Sequence, residues 1–83
     1  NKVKYMVPYV KLIHGVDSLK LLKEINRQAV RWRKNINCLL QIHIAEEETK
    51  FGLNDEELNA ILNSEELKEM QNIKIVGLMG MAT

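Results

Sequence analysis

A chain of 83 residues buries only about 60% of the surface its unfolded form exposes, so one marginal domain is the upper limit. Its 46% hydrophobic and 28% charged residues are those of a globular chain and exclude disorder as the default reading. Cys38 is the only cysteine, which excludes an internal disulfide and points to a reducing, cytoplasmic setting. No apolar run approaches the roughly 20 residues of a membrane span and no signal peptide opens the chain, so a soluble, unexported protein without a membrane partner is expected.

The net charge of +1 hides an uneven distribution. Residues 1–34 hold nine Lys and Arg against two acids, and residues 35–83 hold three against nine, giving halves of +7 and −6. A basic half invites a nucleic-acid reading. At about 100° per residue, however, Lys20, Lys23, Arg27, Arg31 and Lys34 fall on one stripe of a helix, with Leu22, Ile25, Ala29 and Trp32 opposite. That is the wet face of an amphipathic helix, and with neither interleaved aromatic residues nor a binding motif no nucleic-acid partner is expected.

In chain order, Val3, Met6, Val7 and Val10 have helical spacing, limited by Pro8. Lys11 to Val16 reads as a short strand. Asp17 is the expected N-cap of a helix from Ser18 to about Lys34. Cys38 to Ile44 is an apolar, β-branched run broken by Gln41 and His43, which suits a strand covered on one face and polar on the other. Asn54 stands three residues before Glu57 in a capping-box pattern, with Leu53 and Leu58 as the staple, so a helix starts at Asp55. Ser64 caps a short helix through Met70, and Ile73 to Met79 forms the last strand.

Strands alternating with helices across short connections predict an α/β fold with about three parallel strands and right-handed crossovers. Such a set is part of a (β/α) TIM barrel or of an open sheet. The chain opens directly in a helical pattern and stops just beyond a strand, so residues 1–83 are expected to be the central piece of a longer barrel domain. Leu40, Ile42 and Ile44 then pack on helices, while Leu39, Gln41 and His43 face the other way. His14 and Met79 lie near the C-terminal ends of the outer strands, where α/β barrels build their active sites.

The segments Asn1-Lys2-Val3-Lys4, LIHGVDS (12–18), LLQIHIAEEETKFG (39–52) and IVGLMGMAT (75–83) resemble, in order and spacing, the NKVK, IHSVDS, LLQVNIS-E-SKSG and GLM-I-P blocks of the pyridoxal phosphate (PLP) homeostasis family. That resemblance covers essentially the whole chain. It implies a barrel similar to the N-terminal domain of alanine racemase, which binds and delivers pyridoxal 5'-phosphate to apo PLP-dependent enzymes without turnover of its own. It also implies that the Schiff-base lysine precedes Asn1 and that the phosphate-binding Ser/Gly segment follows Thr83, so this fragment is expected to bind no cofactor by itself. His43 replaces the usual Asn, and GLMGMAT lacks the usual Pro.

Four residues are the candidates for the cofactor side: His14, His43, Lys50 and Met79. Lys50 matches the family's loop lysine and is a potential relay for PLP. An amine must be deprotonated to attack, and Glu47 and Glu48 oppose that, so a solvated loop lysine is the plainer reading. His14 and His43 either line the cavity or hold the strand ends by hydrogen bonds. Met79 is read more readily as barrel packing than as a ring contact.

A metal site from the two histidines and Glu47 lacks any short-spaced ligand pair. Glu46 to Glu48 read as solvated acids rather than as an acid/base pair. Cys38 reads as an inert core thiol. The alternative to a carrier is a piece of a PLP-dependent, racemase-like enzyme. Three strands also leave two open edges, from which self-association of the fragment is expected.

Overall fold

Parallel neighbours cannot be joined by a hairpin, so each strand must be followed by a segment that returns along the sheet before the next can pair. The computed structural model of the protein describes residues 2–43 and 52–81. Its elements are α1 (Val3–Met6), a 3-10 turn (Val7–Tyr9), β1 (Leu12–Val16), α2 (Leu19–Arg31), β2 (Ile36–His43), α3 (Asp55–Leu62), α4 (Glu65–Glu69) and β3 (Ile73–Met81). The sheet order is β1-β2-β3, and both pairings are parallel. Three parallel strands alternating with helices are therefore present. α2 makes the first crossover, and α3 with α4 the second.

The start of α2 differs from the expectation by one residue. Ser18, not Asp17, is the N-cap: its backbone is extended and its hydroxyl accepts a hydrogen bond from the Leu21 amide at 3.1 Å. Both residues are good caps, and the side chain that reaches the N3 amide decides between them. The helix also ends three residues before Lys34. Arg33 adopts a left-handed φ of 53°, while Arg33 N donates to Val30 O at 3.1 Å and Lys34 N to Ala29 O at 2.9 Å. This is a Schellman closure built on Arg instead of the usual Gly, which is why no residue type announced it.

Two side chains change role with that ending. Trp32, placed by periodicity on the buried face, is 48% exposed. Lys34 leaves the solvated stripe, and its ammonium donates to the carbonyls of Val7 and Val10, each at 2.7 Å, tying the 3-10 turn to the end of α2. Lys20, Lys23, Arg27 and Arg31 remain exposed as expected. Leu22, Ile25 and Ala29 are fully buried against Ile36, Cys38 and Leu40 of β2 and Val16 of β1. Each of the Leu, Ile and Val side chains contributes roughly 1.5–3 kcal/mol by leaving water. Cys38 belongs to this cluster, and burial pushes its thiol up to about 11, which fits an inert core cysteine.

The capping box is formed as expected. The Glu57 amide donates to Asn54 Oδ1 at 2.8 Å, and the Asn54 amide to Glu57 Oε1 at 3.0 Å. Leu53 is buried and Leu58 packs on the same core. Ser64 caps α4 through the Leu67 amide at 3.1 Å. At the other end of the sheet Asn72 joins three elements: its amide donates to Asn26 Oδ1 at 3.0 Å, its side-chain NH2 to Lys34 O at 2.8 Å, and its carbonyl accepts from Ile36 N at 2.9 Å. β2 thus begins two residues before the expected Cys38. β3 runs two residues past Met79.

Register is interrupted once on each outer strand. Cys38 pairs with Ile75 but Leu39 with Gly77, which leaves Val76 as an extra residue on β3. On β1, Ile13 pairs with Cys38 and Val16 with Leu40, so three steps on β1 match two on β2. Gly15 takes up that irregularity with φ +71°, and a Cβ there would lie 2.8 Å from Gln41 Oε1 and 3.7 Å from Met79 Cε. A left-handed φ costs an ordinary residue about 1–2 kcal/mol, and the amide of Gln41 has to move as well. Gly15→Ala is therefore expected to lower unfolding stability by about 1–2 kcal/mol in urea titrations. Adding Gln41→Ala should return only the steric share, and full recovery in the double variant would show that the backbone at Gly15 is unstrained.

Candidate functional site

Pairing register decides which side chains share the face of the sheet that the helices do not cover. Leu39 pairs with Gly77, Gln41 with Met79 and His43 with Met81, and laterally paired residues of parallel strands point to the same side. On the opposite face Leu40 is fully buried under the helices. The helix-free face at the C-terminal ends of the strands therefore carries Leu39, Gln41, His43 and Met79. Gly15 opens toward the same group, since Gln41 Oε1 and Met79 Cε occupy the space its missing side chain would fill. Gly77 faces Leu39, whose Cδ2 lies 3.2 Å from the position of a Cβ.

The chain after β2 then folds back against β2 itself. Leu53 N donates to Gln41 O at 2.8 Å, and His43 N donates to Leu53 O at 2.9 Å, forming a parallel bridge between Ile42 and Leu53. β1 pairs only as far as Leu40, so Leu53 takes the lateral position beyond its end. Gly52 permits the approach: with φ +101°, a Cβ there would sit 2.7 Å from the carbonyl carbon of Ile42. This return segment supports the half-buried His43, whose Nε2 is shielded from solvent and has no hydrogen-bond partner among the described residues. An imidazole nitrogen in that position is available to a donor or acceptor brought by a ligand.

The four candidates are not all brought together. Met79 lies beside Gln41 and over Gly15. His43 lies two residues further along β2 on the same face. His14 is exposed and falls between the levels of Cys38 and Leu40, which sets it about three to five residues below His43, on the order of 10–15 Å along the strand. Lys50 and Glu46 to Glu48 lie outside the described residues. Gln41 is the member that residue-type reasoning passed over. Its position two before His43 on an alternating strand was the signal, and the amide offers both a donor and an acceptor at the centre of the group.

Among the described residues no three His, Cys, Asp or Glu side chains form a group able to hold a metal ion, and no helix is long and apolar enough to cross a membrane. The arrangement offers two polar side chains, one polarizable thioether and a glycine over which Gln41 and Met79 pack. It can line one side of a cavity for a small planar molecule. Among the described residues no lysine sits on the helix-free face at this end: Lys74 pairs with Asn37 near the start of the strands, and Lys34 is engaged below the sheet.

Comparison with known proteins gives this geometry a family. Residues 1–82 match the family model described as alanine racemase, N-terminal domain. The chain is 37% identical over 79 residues to a pyridoxal phosphate homeostasis protein of Aquifex aeolicus, covering 95% of this chain and 34% of that protein. It is also 37% identical over 79 residues to the protein of the same name from a Synechocystis species, covering 35% of it. Among solved structures, PipY of Synechococcus elongatus with PLP bound superposes with a TM-score of 0.81 at 29% identity, over 99% of this chain and 36% of PipY. PipY without PLP gives 0.85 at 30% identity. The chain thus spans about a third of the length of the relatives it matches, and it belongs to the alanine racemase N-terminal domain family, with similarity to the pyridoxal phosphate homeostasis proteins.

Proposed function

We propose that these 83 residues supply three inner strands of a PLP-binding barrel whose task is to hold and hand on pyridoxal 5'-phosphate rather than to turn over a substrate. The observation that carries this reading is the helix-free face at the strand ends, where Gln41 and Met79 meet over Gly15 and His43 follows on the same face of β2. The similarity to pyridoxal phosphate homeostasis proteins and the PLP bound to PipY support it. The Nε2 of His43, shielded and without a partner among the described residues, fits a polar group of the cofactor, and Met79 fits the flank of its ring. PLP supplies an aldehyde able to capture amines. The residues of this chain would bind and orient it and keep water from one side.

The lysine that links to PLP is proposed to lie outside these residues, as the family resemblance implies, and none of the described lysines reaches the site. A racemase-like activity receives no specific support: no acid/base pair faces the site among the described residues. The free, buried Cys38 suits the proposed reducing, cytoplasmic setting.

PLP titration of this chain, and of the same chain extended to the length of its relatives, tests the reading. After borohydride reduction the extended protein should carry one PLP by mass, and the 83-residue chain none at a unique lysine. An extended protein that holds no PLP would overturn the function, whereas a stoichiometric single-site adduct on the short chain would overturn the placement of the lysine. Within the extended protein, Lys50→Ala should slow PLP transfer to an apo PLP-dependent enzyme more than it weakens equilibrium binding. Unchanged transfer kinetics would leave Lys50 as a solvated loop residue.

Self-association of the short chain is part of the same proposal. β1 and β3 are the edges of the sheet, and Leu12, Val76 and Leu78 are 40%, 48% and 51% exposed. Unpaired edges with apolar side chains recruit another copy. Light scattering at micromolar concentration should report a dimer or larger species, and a cooperatively folding monomer would count against it.

A further inference from the structure

The far end of the molecule, below the N-terminal ends of β1 and β2, carries a surface that PLP binding leaves unused. There α1 packs beside the last turn of α2. Between them lies a shallow groove of about 290 Å3 lined by Lys4, Tyr5, Arg31 and Trp32. The Lys4 ammonium stands 5.0 Å from the centroid of the Tyr5 ring, and the Arg31 guanidinium 6.0 Å from that of Trp32. Tyr5 is 67% exposed, Trp32 48%, and Tyr9, in the following turn, 87%. Three of the chain's four aromatic residues therefore stand in water at one end. Large aromatic side chains gain most from burial and are concentrated at binding hot spots, so a cluster left exposed marks a contact surface rather than core.

Among the described residues, charge on this surface is uncompensated. Neither residues 1–16 nor residues 25–45 contain an acid. The ion pairs among the described residues join Lys23 with Glu66, Arg27 with Glu24 and Lys68 with Glu65, and all lie elsewhere. Lys4 and Arg31 stand near ring faces, with no ion pair to a carboxylate among the described residues. We infer that the groove is a docking site for an acidic peptide segment of a partner protein. Its carboxylates would meet Lys4 and Arg31, and an adjacent apolar side chain would rest on Tyr5 and Trp32. A guanidinium presents paired donors that match a carboxylate. A single-stranded nucleic acid fits less well, because it needs free ring faces for successive bases, whereas one face of each ring here is taken by its own cation and the groove has room for only one or two side chains.

Trp32 is the only tryptophan, so its fluorescence reports on the groove directly. The full chain is titrated with a Glu-rich peptide containing one leucine, with an all-Glu peptide, and with an oligouridylate. The leucine-containing peptide should shift Trp32 emission and bind tightest. Lys4→Glu combined with Arg31→Glu should raise its Kd about tenfold or more, while Lys20→Glu combined with Lys68→Glu, the same charge change at exposed positions outside the groove, should alter it by no more than about twofold. Both positions of the groove double variant are exposed, and an unchanged circular dichroism spectrum verifies that it folds. A silent Trp32, tighter binding of the oligouridylate, equal affinity for the all-Glu peptide, or an equal effect of the Lys20→Glu and Lys68→Glu pair would each overturn the assignment. If the groove double variant fails to fold, Tyr5→Ala replaces it, with a weakening of several-fold expected and an unchanged Kd overturning the proposal.

Discussion

Because β2 is hydrogen-bonded along both edges to parallel neighbours, every link between strands has to travel back along the sheet before pairing again. The returning helices have one place to go. α2 covers one face of the sheet and buries Leu22, Ile25 and Ala29 against Cys38 and Leu40. The same constraint puts all C-terminal strand ends at one edge, where the uncovered face gathers Gln41, His43 and Met79. Neither the core nor the candidate site is independent of that pairing, since a shift of β2 by one residue would exchange the two faces.

The two ends of the sheet are built differently. At the start of the strands, Asn72, Lys34 and Asn26 bind side chain to backbone across elements distant in sequence, and this network fixes where α2 stops and β2 and β3 begin. At the opposite end, regularity is given up. β1 carries an irregularity at Gly15, β3 carries an extra residue at Val76, and Leu53 pairs laterally with Ile42 where β1 has ended. Bulges redirect side chains, and the one at Gly15 makes room for the Gln41 amide beside Met79. Barrels of this class commonly keep stability at the N-terminal face and chemistry at the C-terminal face, and the contrast between the tied end and the irregular end follows that division.

Strand types, helix order and the start of α3 were legible in the residues, because they depend on contacts between near neighbours. Alternation at Leu39, Leu40 and Gln41 fixed the faces of β2, and Asn54 with Glu57 fixed a helix start through two hydrogen bonds three residues apart. The family, too, could be read from four ordered blocks of sequence. The errors fall where two residues of similar propensity compete or where a long-range bond decides. Asp17 and Ser18 are both adequate caps, and only the hydroxyl that reaches Leu21 separates them. Trp32 and Lys34 continue the helical period, yet the helix closes on a left-handed Arg33, which leaves Trp32 exposed instead of buried and takes Lys34 off the solvated stripe.

By itself, then, the sequence determined the alternation of strand and helix, the buried stripe of α2 and the inward parity of Gln41 and His43, since each follows from a period of two or of 3.6 residues. Only the tertiary structure decided the stagger that separates His14 from His43, the packing of Gln41 and Met79 over Gly15, and the meeting of Lys4 and Tyr5 with Arg31 and Trp32. Those arrangements depend on register and on the packing of segments more than 20 residues apart, for which a local pattern carries no information.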